Sequence, residues 1–422
     1  MNAVSKELIE AVKNDLTPSL GVTEPGAISY AAACAARALG GKVRSVTVRL
    51  NSGIYKNSFT CAVPGTDGMG PALAAALGAV AGDPGKKLLS TEGADAFDIA
   101  EAKRLVSSGV ARAELKDISP EISIEAEVVT ENGAASAFVS GRHDLLSKLT
   151  VNGNETTFAA DGETESGRFR VSSASFAEIL ECVMNAEGLE FLDKAVEMDL
   201  ALFEEGKRSG LMPLTAARFP ELTFGAELIT CGAIEARVRG AKAPAMAITG
   251  SGSHGILCTL PVYASAVCGN AARDPDRLRR ALLLSCLVTM YIKEQSGLLS
   301  TACGCVLAGG TGAALGITYL NANDRLYERL TLALNSMAAS VTGMICHGGN
   351  PGCSLKALIG VKAAFAASDM ALGGIGAESV HGIIGTSPEE TMRNMGRVAR
   401  DMLPVEKTIL DIMSCKDPGK LV

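Results

Sequence analysis

Aromatic residues are scarce in this chain of 422 residues: they make up 4% of it, and tryptophan is missing altogether. Glycine (46 residues) and alanine are abundant instead. Cores built from such small side chains let helices approach closely, so a dense helical part is expected. Runs of lysine and arginine are also missing and the net charge is −7, which argues against a nucleic-acid surface. The opening "MNAVSKELIEAVKNDL" carries charges at helical spacing and lacks the apolar centre of a signal peptide. A reducing, cytoplasmic setting is therefore expected, where the twelve cysteines serve as thiols or metal ligands rather than disulfides. A composition 47% hydrophobic and 20% charged excludes a disordered chain.

Charge is absent from Gln295 to Asn323. That length could span a bilayer, but its Gly, Ala, Ser, Thr and Cys would gain little from lipid burial. The stretch reads as a buried helix of a soluble protein, and no membrane partner is expected.

The length fits two domains, or one with a large insertion, and can bury a sizeable core without disulfides. Residues 5–16 read as a helix. A second follows, with Thr23 as N-cap, Pro25 in the first turn and Gly40–Gly41 at the end. "KVRSVTVRLN" and "YKNSFTCAVPG" read as a strand pair turning at Asn51-Ser52-Gly53. Helices are expected again over "GPALAAALGAVAG" and about 94–107, then a β-rich unit from 111 to 160 with turns at "ENG" and "NGN". After Ser172 only helices are expected, broken by glycine-rich turns at 250–255, 309–312, 348–352 and 373–376. The fold class is thus α+β: a large, mainly helical domain (1–40 and 173–422) and a smaller α/β domain (41–172).

Four constellations stand out. Cys303-Gly-Cys305 with Cys346 and Cys353 offers three or four thiols in uncharged, glycine-rich segments, as thiolate coordination of a metal or cluster requires. Zinc with His347 added is a variant of that reading; small buried hydrophobes, as expected for Cys34 and Cys286, are the plain alternative. "TGSGSHGI", 249–256, makes a turn whose amides suit a carboxylate or phosphate, with His254 as a titratable group, or simply a tight turn. "GVTEPG" is explained by a helix start alone, Glu24 favouring the positive end of the dipole. Lys56 and Asn57 are expected at a strand start, where a lysine is usually solvated.

Taken in order, these motifs resemble one family over most of the chain. It is that of the iron–sulfur-dependent L-cysteine desulfidases, related to the α chain of bacterial L-serine dehydratases. The resemblance lies in G-x-T-E-P, a K-N…P-G-T block before a small-residue helix, G-S-G-x-H-G, S-x-x-C-G and the closing C-x6-C. It implies a [4Fe–4S] cluster in the helical domain held by Cys303, Cys346 and Cys353, with Cys305 the alternative to Cys303. An iron left open would give Lewis-acid catalysis of β-elimination from a small L-amino acid. Cysteine would yield sulfide, ammonia and pyruvate; serine would yield ammonia and pyruvate. The implied catalytic residues are Lys56, His254 and Glu24, with Lys56 or His254 as the base. The implied substrate-binding residues are Thr23, Asn57, Ser251, Gly252 and Ser253. A homodimer is an expected assembly. One position departs from the pattern: desulfidases of this family typically read G-C-T-E-P, and this chain has Val22. Cys34 lies about three turns further along the same predicted helix, too far to substitute.

Two other readings stay open at this stage. A pyridoxal-phosphate β-eliminase would use "SGSHG" near the cofactor and "GGTGAALG" as its phosphate loop, but the segment before residue 251 is unlike a Schiff-base lysine segment. A non-catalytic, cluster-containing amino-acid-binding protein is the other.

Overall fold

The structure, a computed structural model, describes residues 2–158, 169–269 and 274–416. Residues 159 and 160, at the end of the expected β-rich stretch, lie outside these.

The chain begins with α1 (Ala3–Asp15), β1 (Thr17–Leu20) and α2 (Thr23–Leu39). Then come β2 (Val43–Asn51), α3 (Ser52–Ser58), α4 (Pro71–Ala81) and α5 (Ala96–Ser107). Five strands follow: β3 (Ala111–Asp117), β4 (Ser123–Thr130), β5 (Gly133–Ser140), β6 (Leu146–Val151) and β7 (Asn154–Thr157). Helices α6 (Phe176–Asn185), α7 (Phe191–Arg208), α8 (Pro213–Arg218) and α9 (Ala226–Val238) lead to a short strand, β8 (Pro244–Ala247). The remainder is α10 (Gly252–Cys268), α11 (Pro275–Ser296), α12 (Thr311–Asn321), α13 (Leu326–Val341), α14 (Gly352–Leu372), α15 (Pro388–Asp401) and α16 (Leu403–Ser414). The class is α+β, with a large helical part and a smaller α/β region.

Six strands form one sheet in the order β3-β2-β4-β5-β6-β7. The β2–β3 pair is parallel and the others are antiparallel. Strand β4 alternates half-buried and buried residues along its length, the pattern of a sheet covered on one face. Val46, Val48, Ile124 and Val128 pack there against Ala27, Ala31 and Ala35 of α2 and Leu77 of α4. Helix α2, grouped with the helical part in the sequence reading, thus contributes to the core of the sheet. It meets α4 backbone to backbone: a Cβ on Gly78 would lie 2.2 Å from the Ser29 carbonyl oxygen.

The second core belongs to the helical part, where α11 runs buried from Ala281 to Lys293. Gly312 of α12 approaches it so closely that a Cβ would lie 2.3 Å from the Ser285 carbonyl oxygen. Among the described residues no helix is long and apolar enough to cross a membrane.

Four local expectations need correction. Residues 52–58 are helix α3, not the start of a strand. The β2 ladder ends where Asn51 turns its side chain to the Ser119 carbonyl and the Ser123 amide, and Leu299 packs over Gly53. The N-cap of α2 is Val22, with Thr23 the first helical residue. Residues 309–312 are no turn: a π-helical segment, Cys305–Gly310, runs straight into α12. A strand does occur after Ser172, since β8 pairs with β1 from Thr17↔Ala247 to Leu20↔Pro244. This last pairing positions the site, because β1 leads into the start of α2 and β8 into the start of α10.

Candidate functional site

The cysteine pair of the 346–353 loop is tied to the Cys303 segment through the backbone. Cys303 N–H donates to the Met344 carbonyl and Cys346 N–H to the Thr301 carbonyl, both at 2.7 Å. Ala302 and Ile345 thereby form an antiparallel bridge that joins the two segments, with Cys303 opposite Met344 and Cys346 opposite Thr301. The loop then folds against α3. Gly348 has φ +94°, and a Cβ there would lie 2.4 Å from the Lys56 carbonyl oxygen, so only glycine fits. Gly349 N–H donates to the Asn57 carbonyl at 3.1 Å.

The four thiols feel one another. Cys303 is drawn down to about 6, chiefly by a hydrogen bond from the Cys305 thiol, with help from Lys356 and the Val306 and Cys305 amides. Cys305 is pushed well up by the same bond and by burial. Burial raises Cys353 to about 12, and Cys346 and Cys303 add to that. Among the described residues no group of three or more His, Cys, Asp or Glu side chains is gathered so as to hold a metal ion. His347, the added ligand of the zinc variant, has its Nδ1 paired with the Asn350 side-chain amide at 3.0 Å.

The other predicted residues fall into two groups. Glu24, Asn57, Thr23, Ser253 and His254 gather beside the thiols. Asn57 Nδ2 donates to Glu24 Oε1 at 2.7 Å, while its Oδ1 accepts from the Cys346 thiol at 3.6 Å. Ser251 is the N-cap of α10 and Gly252 its first residue. His254 Nδ1 lies 2.7 Å from Thr249 Oγ1. That hydroxyl's one hydrogen is directed to the Ile248 carbonyl, also at 2.7 Å. Thr249 therefore accepts from Nδ1–H, and Nε2 is left with its lone pair. Nε2 faces Gly304, where a Cβ would lie 2.6 Å away. Burial, Lys293 and Arg237 hold this imidazole well below its ordinary value. Lys56 stands apart. It is 1% exposed, and its ammonium is held by Glu406 Oε2 of α16 at 2.7 Å.

Three residues at the site escaped the sequence reading. Arg237 of α9 donates to Ser253 Oγ at 2.8 Å and to Thr23 Oγ1 at 3.1 Å, bridging the starts of α10 and α2. Lys293, at the end of the buried run of α11, donates to the Leu298 carbonyl and is lowered to about 8 by burial, against the pull of Cys305, Cys346, Cys303 and Glu24. His143 arrives from the β5–β6 turn of the sheet and is buried. Signals were present: a lone lysine closing the uncharged run 281–292, an arginine within a small-residue helix, and one of only four histidines.

Buried cations, two histidines, a carboxylate and four thiols drawn from both parts of the fold make a site for polar small-molecule chemistry. The chain belongs to the serine dehydratase alpha chain family, whose model matches residues 120–411. It is 36% identical to a UPF0597 protein of Clostridium botulinum, covering 96% of this chain and 98% of that one. UPF0597 proteins of Geobacter sulfurreducens and Caldanaerobacter subterraneus are 34% and 32% identical, each over 96% of this chain and 97% of theirs. The family points to an amino-acid dehydratase-like, lyase-type role.

Proposed function

We propose that this protein catalyses β-elimination from a small L-amino acid, L-cysteine or L-serine, with a [4Fe–4S] cluster held by Cys303, Cys346 and Cys353. The observation that carries the reading is the nearness of these thiols, Cys303 buried and Cys346 and Cys353 half-buried, to Glu24, Asn57 and His254. In kind the donor set suits such a cluster, being all thiol with Cys303 drawn toward the thiolate that iron–sulfur centres require; the side chains are not gathered on one point, so holding the cluster requires them to turn toward it. When bound, the cluster would supply a Lewis acid to the departing thiol or hydroxyl.

The chain's own residues supply the rest. Glu24, steadied by Asn57, holds the substrate ammonium. His254 Nε2, kept unprotonated by the Nδ1–Thr249 bond, takes the α-proton. Electrons from the broken C–H bond form the Cα–Cβ double bond as sulfide or water leaves. The aminoacrylate so formed adds water and breaks down to pyruvate and ammonia. Lys56 is assigned a positioning role, because its ammonium is engaged by Glu406 while its carbonyl abuts Gly348.

Anaerobic purification, iron and sulfide analysis, and ammonia and pyruvate assays on L-cysteine and L-serine test the proposal. Iron-containing protein that releases ammonia from either substrate is expected. Protein without iron after anaerobic reconstitution, or loaded protein that turns over neither, would sink it.

A further inference from the structure

Charged groups inside a protein almost always sit beside a countercharge, since an unpaired one costs several kcal/mol, roughly. Among the described residues Arg237 has no directly hydrogen-bonded countercharge, although its field reaches the Asp199 carboxyl of α7 and the neighbourhood of Glu24. Arg237 is 3% exposed, and among the described residues its guanidinium meets only two hydroxyls, those of Ser253 and Thr23. Its Nε has no hydrogen-bond partner. A second orphan lies nearby: His143, 5% exposed, has no partner for Nε2.

Both side chains converge on the same bare stretch of backbone. A Cβ on Gly252 would lie 2.6 Å from Arg237 Nε, and one on Gly250 would lie 3.0 Å from His143 Nδ1. Here α10, a helix of 17 residues, begins, and among the described residues the Gly252 and Ser253 amides have no acceptor. Two buried side chains, each with one unpartnered nitrogen, and two free amides therefore border the Gly250–Ser253 backbone, His143 presenting its Nδ1 edge to it. Glu24 brings negative charge to the same site, which disfavours a dianion there.

We infer that Arg237 and His143, with the first amides of α10, form a receptor for a single carboxylate, the α-carboxylate of the amino acid in the reaction proposed above. The inference rests on that reading for the identity of its ligand. Arg237 supplies the charge and His143 closes the site from the sheet side. An amino-acid derivative lacking the α-carboxylate leaves both side chains unpaired and is rejected. The substrate class is thus free amino acids, and neither amino-acid amides nor the interior residues of peptides.

The test is thermal stability of the anaerobically purified protein against L-alanine, which has no β leaving group, L-alaninamide, pyruvate and inorganic phosphate. Wild type should show a concentration-dependent rise in Tm with L-alanine and pyruvate and none with L-alaninamide. Arg237→Met should abolish the rise, and His143→Asn should weaken the apparent affinity about tenfold or more, as loss of a hydrogen bond to a charged group does. If either variant is unfolded, the other carries the test. An equal rise with L-alaninamide or phosphate, or an undiminished rise in a folded variant, would overturn the receptor. Carboxylate-dependent rises without ammonia from any amino acid would leave the receptor standing and remove the elimination reading.

Discussion

Val22 lies against Gly349, inside the loop that joins Cys346 to Cys353: a Cβ on Gly349 would meet Val22 Cγ1 at 3.2 Å. Val22 also packs with Cys61 and Val238 in a small apolar group that Cys353 borders. The position at which the first motif departs from the desulfidase pattern is therefore a neighbour of the thiol loop, far from a neutral spot on a helix surface. An apolar wall stands where the resemblance implies a thiol.

Val22→Cys should restore that thiol at a packing cost of about 1 kcal/mol, the value of one buried methyl. A thiol placed beside the reacting atoms contributes by proton transfer, so the ratio of sulfide release from L-cysteine to ammonia release from L-serine should rise roughly tenfold or more. Initial rates on both substrates check it. An unchanged ratio would remove position 22 from substrate choice.

Cys303 and Cys305 should behave differently on replacement. Cys305 donates to Cys303 and stays protonated, whereas Cys303 gathers donors around its sulfur. Cys303→Ala, Cys346→Ala and Cys353→Ala should each lose iron after reconstitution while keeping their helical circular dichroism. Cys305→Ala should retain it. Iron retained in Cys303→Ala and lost in Cys305→Ala would exchange the two roles.

The Lys56–Glu406 pair, 1% and 3% exposed, fastens the last described helix to the back of the thiol loop. Removing one partner strands a buried charge, so Glu406→Leu or Lys56→Met should each cost about 3–5 kcal/mol in denaturant unfolding. The double variant should recover most of that loss. If the folded, iron-loaded double variant releases ammonia, Lys56 is not the base; if only it and not His254→Ala is inactive, the base assignment moves to Lys56.

Asp199 should give the fold a pH dependence of its own. Burial raises it from 3.8 to about 8, against bonds from the Met246 amide and the Thr259 hydroxyl. Thr259 has one hydrogen and a shorter bond to the Gly255 carbonyl, 2.8 Å against 3.1 Å, so a protonated Asp199 can donate to it instead. Between these two values the unfolded chain has released this proton and the folded chain keeps it. Stability should therefore fall as pH rises through that window, by on the order of 1 kcal/mol per pH unit. Asp199→Asn mimics the neutral acid and should flatten the slope; a slope unchanged in urea melts from pH 5 to 8 would exclude this role.

Local chemistry made much of the fold legible. Alternation in 123–130, the glycines after Leu39 and the small-residue helix 71–81 are signals that neighbouring residues carry by themselves. The same holds for the order of the cysteine and glycine motifs, which pointed to the family. The segment 52–58 was misread because Ile54, Lys56 and Ser58 suit a period of two, while Ile54 and Ser58 also suit a helical turn. Packing of Leu299 over Gly53, far along the chain, decided between them.

What only the tertiary structure decided is which distant charges meet. Glu406 lies 350 residues from Lys56 and Thr23 lies 214 from Arg237, and no local pattern announces either contact. A helix of 3.6 residues per turn or a strand of period two records which face is buried, but not what that face will touch. Sequence alone therefore gave the thiols and the family they resemble. The bridging Arg237, the approach of His143 and the withdrawal of Lys56 into an ion pair follow from long-range packing of the helices and the sheet.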